Sequence, residues 1–158
     1  MRLRHIASSI LALLAIATFT QCTTQKHWVG TWGTAGQLVE PHNNPPAPGL
    51  GGNTIRQIVQ VSIGGEEVRL QLTNEFSKEP TEIIAIELAH ATTSGSSSDI
   101  DESTTVSLTF GGQSGITMQP GEIVTSDPVK FAMGDRQNVA ITIHYGKASS
   151  TSVSGHPG

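Results

Sequence analysis

The stretch that decides the fold is Thr54–Phe76, TIRQIVQVSIGGEEVRLQLTNEF. Ile55, Val59, Val61 and Ile63 fall on one side of an alternating pattern, with Thr54, Arg56, Gln60 and Ser62 on the other. Gln57 and Ile58 break the alternation. Beyond Gly64-Gly65 it resumes, with Val68, Leu70 and Leu72 against Arg69, Gln71 and Thr73. Successive side chains of a strand point to opposite faces, so the pattern predicts two half-buried strands. Adjacent glycines supply the positive φ angles of a tight reversal, so the strands are expected to pair as an antiparallel hairpin. A turn at Gly64-Gly65 sets Val61 opposite Val68 and Val59 opposite Leu70; one at Gly65-Glu66 sets Val61 opposite Leu70. Both registers keep the same apolar face.

Downstream, the same signals repeat. Thr81–Thr92 is read as a strand because Ile83, Ile84 and Ile86 are β-branched, with its even positions Ile84, Ile86, Leu88 and His90 on one face. Residues 93–103 are rich in Ser and Asp and read as a solvated loop; Asp99, Asp101 and Glu102 lack the glycine and distal glutamate of a calcium loop. Val106, Leu108 and Phe110 lead into a Gly111-Gly112 turn, and Ile116 and Met118 into a Pro120-Gly121 turn. Short strands follow at 123–125 and 129–131. Asn138–Tyr145 closes the set, with Val139, Ile141, Ile143 and Tyr145 alternating against Ala140, Thr142 and His144. Turns every 8–12 residues or so without a helical pattern predict an all-β fold. The expected architecture is a two-sheet antiparallel sandwich of jelly-roll type.

Upstream of the deciding stretch, Gly36–Asn53 holds Pro41, Pro45, Pro46 and Pro48 and is expected to be an extended loop. Trp28 and Trp32 stand in a segment, His27–Ala35, read as a short edge strand. At the amino terminus, Arg2 and Arg4 precede the apolar run Ile6–Phe19, the pattern of a secretory signal. Cys22 is the only cysteine, so an intrachain disulfide is excluded. Its position just after the apolar run predicts a lipoprotein-type signal over residues 1–21 and lipidation at Cys22; the alternative is cleavage after Ala15-Ile16-Ala17. Removing residues 1–21 leaves 137 of the 158 residues and moves the formal charge from −4 to −6, since two basic and no acidic residues go. A net acidic surface argues against nucleic acid and against direct binding to an anionic membrane. Residues 22–53 would carry the lipidation site, the tryptophan strand and the Pro/Gly-rich loop, and 54–158 the sandwich core, with 22–158 forming one domain. The product is expected to be exported, as a cell-envelope lipoprotein or otherwise as a periplasmic or secreted protein.

TIRQIVQVSIGG followed by VRLQLTNEFS resembles the front domain of secreted SGNH/GDSL-type hydrolases, an esterase and acylhydrolase family. WVGTWGTA at Trp28–Ala35, LTFGG at Leu108–Gly112, SDPV at Ser126–Val129 and VSGHPG at 153–158 extend the resemblance over nearly the whole mature chain. It implies a non-catalytic module that precedes a hydrolase domain, with the sequence stopping where that domain would begin. It further implies an association with deacylation of extracellular substrates, plant cell-wall polysaccharides among them.

Such chemistry needs a nucleophilic serine, a histidine base and an oxyanion hole. The nearest approach to the family's Gly-Asp-Ser block is Gly134-Asp135-Arg136, where arginine replaces the nucleophile, and Asp-x-x-His is absent. The chain is therefore expected to be inactive alone, with no catalytic residue, no metal and no cofactor. His90 and His144 could meet if their strands are neighbours. Trp28 and Trp32 share strand parity and would form either a sugar-stacking platform or a surface for a neighbouring domain. Asn74, Glu75 and Phe76 match the family's turn after the second hairpin strand, as turn formers or as residues shaping a neighbouring cleft. Expected partners are thus a hydrolase domain, missing or separate, and an acylated glycan. The rival reading is a stand-alone surface lipoprotein that binds a glycan.

Overall fold

A computed structural model describes residues 27–92 and 98–155. The signal segment, Cys22 and residues 156–158 lie outside them. The described chain is nearly all β, and its one helical element is a single 3-10 turn at Pro41–Asn43. Eleven strands follow in order: β1 Gln37–Leu38, β2 Thr54–Gln60, β3 Gly65–Val68, β4 Gln71–Thr73, β5 Thr81–Ala91, β6 Ile100–Ser107, β7 Ile116–Met118, β8 Ile123–Thr125, β9 Val129–Met133, β10 Asn138–Tyr145 and β11 Ser154–Gly155.

The main sheet has the order β2-β10-β5-β6, with β7 also paired to β5, and all its pairs are antiparallel. β3 pairs with β9 and β4 with β8. The Ser126 amide donates to the Leu70 carbonyl at 2.9 Å and the Leu70 amide to Ser126 Oγ at 3.0 Å, stitching these two pairs into one kinked ribbon. The ribbon is tied to the main sheet's β6 side by the Asp127 amide on the Thr109 carbonyl. Ile86, Leu88, Leu108, Met118, Phe131 and Val139 are buried in the shared core. Main sheet and ribbon make an arrangement consistent with a β-sandwich.

The predicted hairpin is not there. β2 pairs with β10 throughout, placing Val59 opposite Val139, while among the described residues β3 pairs as a strand with β9 and β4 with β8. The chain crosses from sheet to ribbon at 61–64 instead of folding back. Its amides bond along the way to new partners: Val61 to the Gln137 carbonyl, Ser62 to the Thr31 carbonyl and Gly64 to Asp135 Oδ1 at 2.7 Å. Gly64 is required by close approach, because a Cβ there would sit 2.1 Å from the Met133 carbonyl oxygen. The apolar positions keep their inward sense except at Ile63, which the crossing leaves 48% exposed: Val59 and Val61 are buried, and Val68, Leu70 and Leu72 pack half-buried against the core.

Three other expectations change. His27–Ala35 forms no strand, and a short strand, β1, appears inside the predicted 36–53 loop, paired with β11. β6 begins at Ile100, so residues 100–103 are strand, not loop. The even-position face of β5 holds for Ile86 and Leu88 but breaks at Ile84, which is exposed while Ile83 is buried. The cause is a bulge: His144 aligns with Ala85 and Tyr145 with Ile83, so Ile84 has no partner on β10. Elsewhere the turns form as read. Gly111 and Gly112 take φ of 58° and 81° in the tight reversal that joins Phe110 to Gln113, and Gly121 takes 81° after Pro120.

Candidate functional site

The ribbon and the main sheet do not close on each other along one side. Between β2 and β3–β4 lies a cleft of about 1250 Å³. Ile55 and Gln57 of β2 and Ile141 and Ile143 of β10 line its floor; Leu70 and Leu72 of the ribbon line the opposite wall. The misfit at Gln57 is thereby placed: it shares the inward face of Ile55 and Val59, opposite Ile141, and brings an amide into an otherwise apolar floor. Ile58, the other misfit, lies half-buried on the outer face opposite Ala140.

The tryptophan segment forms the rim. Thr31 fixes it to the crossing: its carbonyl accepts from the Ser62 amide and hydroxyl, each at 2.9 Å, and its Oγ1 bonds the Ile63 amide and carbonyl. Trp28 and Trp32 flank this staple, both line the cleft, and they are 38% and 41% exposed. The Arg69 guanidinium stacks over the Trp28 ring, 4.5 Å from its centroid, in cation–π geometry. One face of Trp28 is thus occupied by protein.

The structure separates the Asn74-Glu75-Phe76 turn into three roles. Glu75 is exposed and joins the tryptophans at the cleft. Asn74 is buried, and its side-chain amide lies within 3.1–3.2 Å of the carbonyls of Glu79, Met118 and Gln119 while its Oδ1 accepts from the Thr81 hydroxyl. Those bonds saturate it as a loop clamp. Phe76 packs toward Gly36, and its amide donates to Ser154 Oγ at 2.9 Å, holding β11 beside the turn.

Gly134-Asp135-Arg136 braces the crossing. Asp135 accepts the Gly64 amide, and Arg136 has φ of 56° in a reversal closed by the Gly134 amide on Gln137 Oε1. His90 and His144 sit on adjacent strands but do not meet, because His90 aligns with Val139 near the other end of β10. His90 Nε2 lies 2.9 Å from the Ala132 carbonyl and edge-on to Phe131. His144 Nδ1 lies 2.9 Å from Thr54 Oγ1, and its Nε2 is 3.6 Å from a Glu87 carboxylate oxygen. This hydroxyl–imidazole–carboxylate row stands on the flat outer face of the main sheet. The β10 amides there are committed to strands on both sides, so none is aimed at a reacting carbonyl. Asp101 accepts from the amide and hydroxyl of Ser103 at the start of β6, and no cluster of three His, Cys, Asp or Glu suited to a metal occurs among the described residues.

One residue at the cleft escaped the sequence reading. Arg69 is exposed, lines the cleft beside Leu70 and is held there by its stack on Trp28. Asp127 accepts from the amides of Gly112 and Gly111 and from the Thr109 hydroxyl, and the Gly112 amide first of all holds its carboxyl below the ordinary carboxylate range. Burial pushes the pKa of the Tyr145 hydroxyl, which borders the cleft, upward. No protein-family model and no curated protein matches the chain.

Proposed function

We propose that this chain is the non-catalytic front module of an extracellular SGNH/GDSL-type esterase or acylhydrolase, a jelly-roll sandwich that supports a hydrolase domain through its open side. The observation that carries this reading is the cleft itself: apolar side chains of two layers left facing each other behind Trp28 and Trp32. A contiguous apolar surface open to water is costly for a small domain and marks a place where another molecule sits. Exposed tryptophans beside an arginine are the residue types that anchor protein interfaces. The motifs quoted from the sequence supply the neighbour's identity, and with it a role next to deacylation of acylated extracellular glycans, the plant cell wall included.

Export through residues 1–21 and a lipid on Cys22 belong to the same reading, which places the module at the cell envelope. A glycan-binding lipoprotein is the second reading, favoured by the presence of both tryptophans at one cleft. The Arg69 stack counts against it, since that face of Trp28 would have to be vacated for a sugar ring. Reading the genomic DNA beyond the Gly158 codon tests the proposal. A Gly-Asp-Ser block in the same frame, or in frame after one insertion or deletion, supports the esterase module. A stop codon followed by no remnant of such a domain overturns it in favour of the glycan-binding lipoprotein.

A further inference from the structure

Beyond an open side, the cleft has a bonding pattern, and it specifies the form of the partner within the docking role proposed above. β3 and β4 are hydrogen-bonded along one edge only among the described residues. Their other edge fronts the cleft from Gly65 to Thr73. The Ser126 amide on the Leu70 carbonyl and the Asn74 amide on the Glu122 carbonyl show that Leu70, Leu72 and Asn74 address β8. In an antiparallel ladder the intervening residues turn their amides and carbonyls the other way. Gln71 and Thr73 therefore present backbone donors and acceptors to the cleft opening. Such an edge is a template for strand addition.

Charge then selects among occupants. Glu66 and Glu75 stand at the two ends of this edge, both exposed and both without a side-chain partner among the described residues. Midway between them, Arg69 is engaged on Trp28. Antiparallel pairing of this edge with a second copy of itself sets outward-turned residues against each other; centred on Gln71, it would bring Glu67, the neighbour of Glu66, of one copy opposite Glu75 of the other. Like charges in that position oppose pairing. A strand carrying a basic residue near each end meets both carboxylates instead, while apolar residues at alternate positions face Leu70, Leu72 and the floor at Ile55 and Ile143.

We propose that the β3–β4 edge accepts an extended segment of a partner polypeptide as an added strand, apolar on its cleft-facing side and basic near both ends. Main-chain bonds to Gln71 and Thr73 hold the segment, and the two glutamates set its preference.

The probe is a synthetic peptide of alternating threonine and valine with lysine at each end, beside a twin with glutamate at each end. Fluorescence anisotropy with the full chain should give saturable binding of the lysine peptide, at least about tenfold tighter than the twin, since complementary charge discriminates partners. The affinity should fall as salt is raised. The double variant Glu66→Lys, Glu75→Lys should reverse the preference, and an unchanged thermal midpoint would show that it folds. Methylating alternate backbone nitrogens of the peptide should abolish binding. Absence of saturable lysine-peptide binding, equal binding of the twins, or a preference that survives charge reversal would overturn the proposal. Peptide recognition without a downstream hydrolase domain would remove the esterase reading and leave the edge; a hydrolase domain without peptide preference would do the opposite.

Discussion

β10 and the β3–β4 strand are both apolar at alternate positions, and the fold treats them in opposite ways. β10 is bonded on both edges, and Val139 through Ile143 are buried on both faces. β3–β4 is bonded on one edge, and its apolar residues stay half-buried against a cleft. An alternating pattern therefore dictates that a face will be covered without dictating by what. On the closed side the cover is Leu108, Met118 and Phe131; on the open side the described residues leave a cleft.

The largest expected difference between the two sides is in cavity cost. Leu108 is fully buried, so Leu108→Ala should cost about 2–5 kcal/mol. Leu70 already borders open space, so Leu70→Ala should cost only about 1–2 kcal/mol by lost apolar contact. Denaturant midpoints of the two variants measure this, and equal losses would mean that the cleft is filled in solution. Next comes the junction between the sides. Gly64→Ala places a methyl group against the Met133 carbonyl and the Gly134 backbone, and should cost about 1–3 kcal/mol through forced backbone displacement. In a simple hairpin turn the same change would be felt as φ strain alone, with no effect on β9 amide shifts.

The smallest effect concerns acid. Asp127 clamps the Gly111–Gly112 reversal on the closed side, and its folded-state pKa is lowered relative to an unfolded aspartate. Its contribution is therefore present in full above the ordinary aspartate range and is lost as pH falls through the lowered value. The melting temperatures of wild type and Asp127→Asn should differ by a constant amount from neutral pH down to that range and converge below it. A gap that persists undiminished into acid would remove the carboxylate's charge from the explanation.

Much of the closed side was legible because its signals are local. Alternation over Asn138–Tyr145, the Gly111-Gly112 pair and Pro120-Gly121 each act within a few residues, and each formed as read. Gly64-Gly65 gave the same local signal for a different cause. A glycine needed for close backbone approach looks in sequence like a glycine needed for a turn, and the pairing of β2 with β10 rests on residues about eighty positions away. The break at Gln57 and Ile58 was visible, yet its meaning required knowing that the main sheet's outer face is partly covered. Of the residues at the cleft, Trp28 and Trp32 were singled out by residue type and Glu75 only through the turn it shares with the resembled family. Asn74 proved a clamp and Phe76 a packing residue, a distinction made by burial and by carbonyls that the sequence does not place.

Amide hydrogen exchange in the isolated chain tests the central claim, that residues 54–73 cross between layers and leave the β3–β4 edge open. The account predicts slow exchange at Leu72 and along β10, with Gln71 and Thr73 exchanging close to the rate of unstructured amides. Protection of Gln71 and Thr73 equal to that of Leu72 would mean that a strand already lies along that edge, and would contradict it.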